Sequence, residues 1–153
     1  MAVFTKLLKE DIENFISEYS IGNLNSFEEI VDGIENSNFK IFCNNQPYIL
    51  TIFEKRVTEQ ELPFFINLKN FLNKKNFKCP KAISDKNGKI LKRIKNKTAV
   101  IISFLEGKSI EEPNAEMCRE VGKMVDDLHN LTINFDEKRP NRLDLQDWKE
   151  IYK

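Results

Sequence analysis

FEEIVDGIENSNFKIFCNNQPYILTIFEKR, residues 27–56, decides the fold. Asn38 to Cys43 alternates, with Phe39, Ile41 and Cys43 on one side and Lys40 and Phe42 on the other. That two-residue period belongs to a strand with one buried face. Asn44-Asn45-Gln46-Pro47 interrupts it, and asparagine tolerates the positive φ that tight hairpins need. Tyr48 to Phe53 resumes as an apolar, β-branched strand, expected to be central and covered on both faces. Upstream, residues 25–34 read as a strand with Phe27, Ile30 and Ile34 inward. Gly33-Ile34-Glu35-Asn36-Ser37-Asn38 then makes the turn into the second strand.

Working outward, residues 7–19 place Leu8, Ile12, Phe15, Ile16 and Tyr19 on one helical face, and Gly22 stands where that helix should stop. Downstream, Thr58-Glu59-Gln60-Glu61 has the form of a capping box, the Thr58 hydroxyl serving an orphan N–H while Glu61 reaches back. The helix it opens carries Leu62, Phe65, Ile66 and Leu72, with Phe64, Leu68 and Phe71 widening the stripe. Pro63 falls in or just after the first turn, where its missing N–H costs least. Cys79-Pro80 forces extended chain. Lys81 to Ser84 and Lys89 to Ile94 flank Asp85-Lys86-Asn87-Gly88, which predicts a hairpin. Thr98 to Leu105 is the most apolar strand and ends at Glu106-Gly107.

Beyond that point only helices are expected. Pro113-Asn114 opens one in which Met117, Val121, Met124, Val125 and Leu128 form a stripe. A loop with Arg139-Pro140-Asn141-Arg142 follows, and Asp144 caps a short piece holding Trp148. The order is α+β rather than a parallel βαβ series. It divides the chain into a sheet lobe, residues 1–105, and a connector with the first helices of a second lobe, residues 106–153.

The chain has 153 residues, with 24 basic and 24 acidic side chains and a formal net charge of zero. The charges are spread, so nucleic acid and anionic membrane are not expected partners. No apolar run approaches the ~20 residues that span a bilayer. Cys43, Cys79 and Cys118 fit no metal-ligand spacing and read as buried or half-buried thiols. MAVFTKLLKEDIENF lacks the features of a signal peptide, which gives a cytoplasmic expectation.

Met1 to Thr5, Gly33 to Phe39, Tyr48 to Arg56, Leu62-Pro63-Phe64-Phe65, Ile102 to Gly107 and Arg139-Pro140-Asn141 occur in an order and spacing that resembles one family. The chain is similar to the N-terminal part of homoserine kinases related to aminoglycoside and choline phosphotransferases. The resemblance implies the N-terminal lobe of a protein-kinase-like fold, a hinge, and the start of a helical C-terminal lobe. It implies phosphoryl transfer from ATP, with Mg²⁺, to the side-chain hydroxyl of L-homoserine, a step of threonine biosynthesis. It also implies that the catalytic and metal-binding aspartates lie beyond Lys153, so the chain is expected to be a portion without its own catalytic residue or metal ligand. The alternatives are a choline- or aminoglycoside-type kinase of the same fold, and a non-catalytic remnant serving as an interaction module.

The resemblance assigns nucleotide binding to Gly33, Glu35, Asn36, Ser37 and Asn38. A turn beginning at glycine exposes consecutive N–H groups, and its short polar side chains suit phosphate oxygens; an ordinary hairpin turn has the same composition. Kinase-like folds carry a lysine on the central strand, paired with a glutamate on the next helix. Here those positions hold Thr51 and, nearby on the helix, Phe65. Lys55 or Arg56 could supply the charge, with Glu54 or Glu61 as partner, or could be solvated strand-end residues. Ser103, Phe104 and Leu105 are assigned to the connector under the adenine, or else simply end a strand. Arg139 and Asn141, with Arg142, could meet the acceptor substrate or order their loop. His129 has no recognisable acid or nucleophile beside it and reads as structural.

Overall fold

The computed structural model describes residues 4–54, 57–141, 144–145 and 148–149. Its helices are α1 (Lys9–Ile16), α2 (Leu62–Lys74) and α3 (Ala115–Thr132). Its strands are β1 (Leu24–Ile30), β2 (Ser37–Cys43), β3 (Gln46–Ile52), β4 (Ala82–Ile83), β5 (Lys92–Ile94) and β6 (Lys97–Ser103). They form one antiparallel sheet in the order β1-β2-β3-β6-β4, with β5 also on β6. The α+β expectation holds.

The alternation in β2 fixes the two faces. Phe39, Ile41 and Cys43 are fully buried, as are Leu50 and Ile52 on β3 and Ala99 and Ile101 on β6. These join Ile12, Phe15, Ile16 and Tyr19 of α1 and its exit in one core. Burying such side chains is worth about 1.5–3 kcal/mol each, so the first face is the folding core. The buried residues of α2, namely Leu62, Ile66 and Leu72, lie outside that core. Val100, which points to the second face of β6, is also buried. With α2 packed beside β4, that helix covers the β4–β6 side of the second face.

The turns follow residue chemistry. Asn44 and Asn45 have φ of 48° and 62°, and Lys95 and Asn96 repeat those values in the β5–β6 hairpin. Two positive φ angles in succession match the right-handed twist of the flanking strands. Lys95 carries the strain with its ammonium 2.7 Å from Asp11 of α1, which ties that hairpin to the helix.

Several expectations need correction. Leu8 precedes α1 and is exposed, while Leu7 is buried in its stead. β1 ends at Ile30, so Ile34 lies in the connecting turn and is exposed rather than inward. Only half of the capping box forms. Glu61 reaches back to the Thr58 amide at 3.1 Å, but the Thr58 hydroxyl donates to the same carboxylate at 2.8 Å. β4 and β5 do not pair with each other; both lie along β6. The turn between them swings out instead, its buried Asp85 accepting from the amides of Asn87 and Lys89 and from Lys92. Lys86 donates from there to the Glu18 carbonyl at the end of α1. Cys118 is exposed, against the expectation for all three thiols.

α3 buries none of its residues, and Met117, Val121, Met124 and Val125 of its stripe are exposed. The chain after it returns to α2. Phe135 packs on Phe64 and Phe71, and Glu137 accepts a 2.8 Å hydrogen bond from Asn67.

One core polar group is unmatched. The Tyr19 hydroxyl is buried with no hydrogen-bond partner among the described residues, and burial is the main cause pushing its pKa up to about 12. A buried hydroxyl without a partner keeps its desolvation cost. Tyr19→Phe is therefore expected to leave stability unchanged or raise it by up to about 1 kcal/mol, measured as the urea midpoint.

Candidate functional site

Register and alternation place Ile30, Asn38, Thr51 and Val100 in one row across the second face, and Glu28, Lys40, Ile49 and Ile102 in the next. α2 covers the β6 side, which leaves the β1–β3 part as the accessible floor. Its polar groups are few and specific. The Thr51 hydroxyl donates to the Asn38 side-chain oxygen at 2.8 Å. Lys40 lies 3.6 Å from Glu28, its cross-strand partner. The Lys40 ammonium also sits 4.5 Å above the ring of Phe104 and 5.1 Å from that of Phe42.

The residues singled out in the sequence fall into distinct surroundings. Gly33 has φ of 120°, which a β-carbon would strain, and it sits in the β1–β2 turn with Glu35 and Asn36 half-buried after it. Ser37 is fully buried on the α1 side of the sheet. Its oxygen accepts from the amides of Phe4 and Thr5, both at 2.9 Å, and its hydroxyl donates to Glu54 at 2.6 Å. The Ser37 side chain therefore closes the core, and the Asn38 side chain is engaged with Thr51.

Thr51 stands on the central strand, and beside Phe65 on α2 is Arg139, its guanidinium 5.1 Å from the ring centroid. No lysine–glutamate pair joins the sheet to the helix at those two positions. Of the carboxylates offered as partners, Glu54 binds Lys97, and Glu61 accepts from Arg139 at 3.0 Å. Lys55, Arg56 and Arg142 lie outside the described residues. Arg139 thus faces α2, while Asn141 is exposed.

Glu54 joins two strand ends and the N-terminal segment. It accepts from the hydroxyls of Thr5 at 2.7 Å and Ser37 at 2.6 Å, and from the Lys97 ammonium. Burial alone would raise its pKa, but the bonds from Lys97, Ser37 and Thr5 outweigh that and hold it below the usual glutamate value. This network was illegible in the sequence, because its members are separated by tens of residues and no spacing rule joins them.

At the end of β6, Ser103 is tied to Lys81, its amide donating to the Lys81 carbonyl at 2.8 Å and its hydroxyl accepting from the Lys81 amide at 2.9 Å. Phe104 is half-buried under Lys40, and Leu105 is exposed. His129 is exposed on α3. Among the described residues no group of three or more His, Cys, Asp or Glu side chains could hold a metal ion, and no helix is long and apolar enough to cross a membrane.

Comparison with known proteins fits this arrangement. The model of the phosphotransferase enzyme family, APH, matches residues 26–152. A homoserine kinase of Agrobacterium fabrum is 40% identical over 152 residues, which cover 99% of this chain and 47% of that protein. One from Methylobacterium radiotolerans is 41% identical over the same extent. The chain spans about half the length of the curated relatives it matches. Among solved structures, spectinomycin phosphotransferase APH(9)-Ia, in complex with ADP and spectinomycin, superposes with a TM-score of 0.70 at 10% identity, over 96% of this chain and 46% of that one. A putative aminoglycoside phosphotransferase of Ralstonia eutropha gives 0.58 at 15% identity, over 96% and 47%. The sheet and its helices have the fold of the N-terminal lobe of protein-kinase-like enzymes. The chain belongs to the phosphotransferase enzyme family.

Proposed function

We propose that this chain is the nucleotide-holding portion of an ATP-dependent homoserine kinase, which converts L-homoserine and ATP to O-phospho-L-homoserine. The observation that carries this reading is about 40% identity to homoserine kinases along 99% of the chain. The geometry supports it through an accessible sheet floor bounded by a glycine-containing turn, a helix and an aromatic connector. The phosphates lie under the β1–β2 turn, served by the backbone N–H groups of residues 33–36 and by the Asn38–Thr51 pair. Ser37 serves the turn from behind, by anchoring the start of β2. The base lies against Phe104 and Leu105, whose backbone follows directly on β6. Residues 1–105 form the nucleotide lobe, and the chain from 106 onward leads into the helical lobe.

Phosphoryl transfer is mainly positioning and charge stabilisation, and this chain's contribution is the first of these. Mg²⁺ normally neutralises the developing phosphate charge, but the described residues offer no ligand cluster for it. Arg139, turned to α2, orders its loop, and Asn141 is our candidate for meeting the acceptor.

The intact gene product is expected to consume ATP in the presence of L-homoserine and not of choline or spectinomycin, measured as ADP release. ATP is expected to slow hydrogen exchange at the amides of residues 33–38. Turnover of choline or an aminoglycoside with no homoserine turnover overturns the substrate and leaves the fold. No turnover and no protection at 33–38 favours a non-catalytic interaction module.

A further inference from the structure

We propose that, in the nucleotide site described above, Lys40 is the cationic side chain that engages the phosphates in place of the lysine absent at Thr51. Glu28 is its counter-ion. Kinase-like folds place a lysine on the central strand and its carboxylate partner on the following helix. Here Thr51 and Phe65 offer neither. Among the described residues of β1, β2 and β3 there is one cationic side chain, Lys40, and the alternation of β2 puts it on the accessible face. Its cross-strand neighbour on β1 is Glu28, with 3.6 Å between the charged atoms. The strand-to-helix ion pair of such folds is thus replaced by a strand-to-strand pair on the same floor.

Distance permits the role. Lys40 and Asn38 are two residues apart on one strand, about 7 Å, and the lysine stem reaches about 6 Å. From that position the ammonium can turn toward the β1–β2 turn and lie under the Asn38–Thr51 pair. As found, it lies the other way, above Phe104 and Phe42. A cation held on an aromatic face gains less than one making charge-assisted bonds to phosphate. Nucleotide entry therefore draws Lys40 off Phe104 and uncovers that ring, beside the connector, for the base. Lys40 is a positioning residue that couples phosphate binding to opening of the base site.

The test is calorimetric titration of the intact gene product with ATP and separately with adenosine, for the unsubstituted protein, Lys40→Met and Lys40→Arg. Methionine keeps the stem and removes the charge. Lys40→Met is expected to weaken ATP roughly ten- to a hundredfold while adenosine binding stays within about threefold. Lys40→Arg, which keeps the charge, is expected to retain most of the ATP affinity. Unchanged ATP affinity in Lys40→Met overturns the proposal, as does equal weakening of ATP and adenosine, the mark of lost packing. Tighter ATP binding by Lys40→Met also overturns it, because Lys40 would then be obstructing the site. If the unsubstituted protein binds neither ligand, the nucleotide-site reading itself fails and the role of Lys40 falls with it.

Discussion

Phe39→Ala is expected to remove about 3–5 kcal/mol of folding stability. Phe39 is the largest of the fully buried side chains and stands in register with Leu50 on the central strand. Its ring meets Phe27 at 6.4 Å in a tilted pair. Truncation forfeits the ring's transfer energy and leaves a cavity between the sheet and α1 that fixed strands cannot close. A domain of this size has roughly 5–15 kcal/mol in total, so the variant sits near the edge of folding. Urea titration should show a large fall in midpoint with little change in slope. A loss below about 1.5 kcal/mol would mean that the α1 face is not the main core. Phe39→Leu, keeping most of the volume, should lose only a fraction of this.

The same alternation explains why so much of the central fold was legible. In β2 each side chain reports its own face, and Phe39, Ile41 and Cys43 are buried as their spacing requires. The Asn44-Asn45 pair predicted its turn because a positive φ angle is a local property. The failures are those of local rules meeting tertiary contacts. β4 and β5 flank a sound turn signal, yet both lie along β6, whose unpaired edge was free to take them, while Lys86 ties the turn to the end of α1. Thr58 and Glu61 had the right spacing for a reciprocal cap, but the Thr58 hydroxyl prefers the charged carboxylate to a backbone amide. Ile34 has the hydropathy of a core residue and sits in a turn that offers it no neighbour to pack on.

In the candidate site, the residues named from the sequence fall into different surroundings once the strands pair. Ser37, grouped with its neighbours as a phosphate ligand, obeys the period of β2 instead and points into the core. Lys40 obeys the same period and was already assigned to the face opposite Phe39. What was missing was the β1 register that sets Glu28 beside it. For Glu54 the fold supplies Lys97 from β6, a partner 43 residues away that no local spacing reveals.

That pairing gives the second large effect. Glu54→Ala is expected to cost about 2–3 kcal/mol: loss of one partner from a buried pair costs about 3–5 kcal/mol, reduced because Lys97 remains partly in water. The Glu54 side chain is 4% exposed and that of Lys97 39%, so the carboxylate suffers the burial and the ammonium can rehydrate. The variant also strips an acceptor from the hydroxyls of Thr5 and Ser37, loosening the N-terminal segment where it closes over the start of β2. Acid should imitate the substitution. The folded carboxyl holds its proton less tightly than its ordinary value of 4.5, so below that pH the unfolded chain binds the extra proton. The stabilisation is whole above 4.5 and is lost as the pH falls through the lower folded value. Asp11, held low first by its hydrogen bond from Lys95, adds a slope of the same sign. Urea midpoints from pH 6 down to pH 3 should therefore fall steeply in the unsubstituted protein and less steeply in Glu54→Gln. Equal slopes would show that Glu54 is no better held in the folded chain than in the unfolded one, and the start of β2 would then owe its position to Ser37 and the backbone alone.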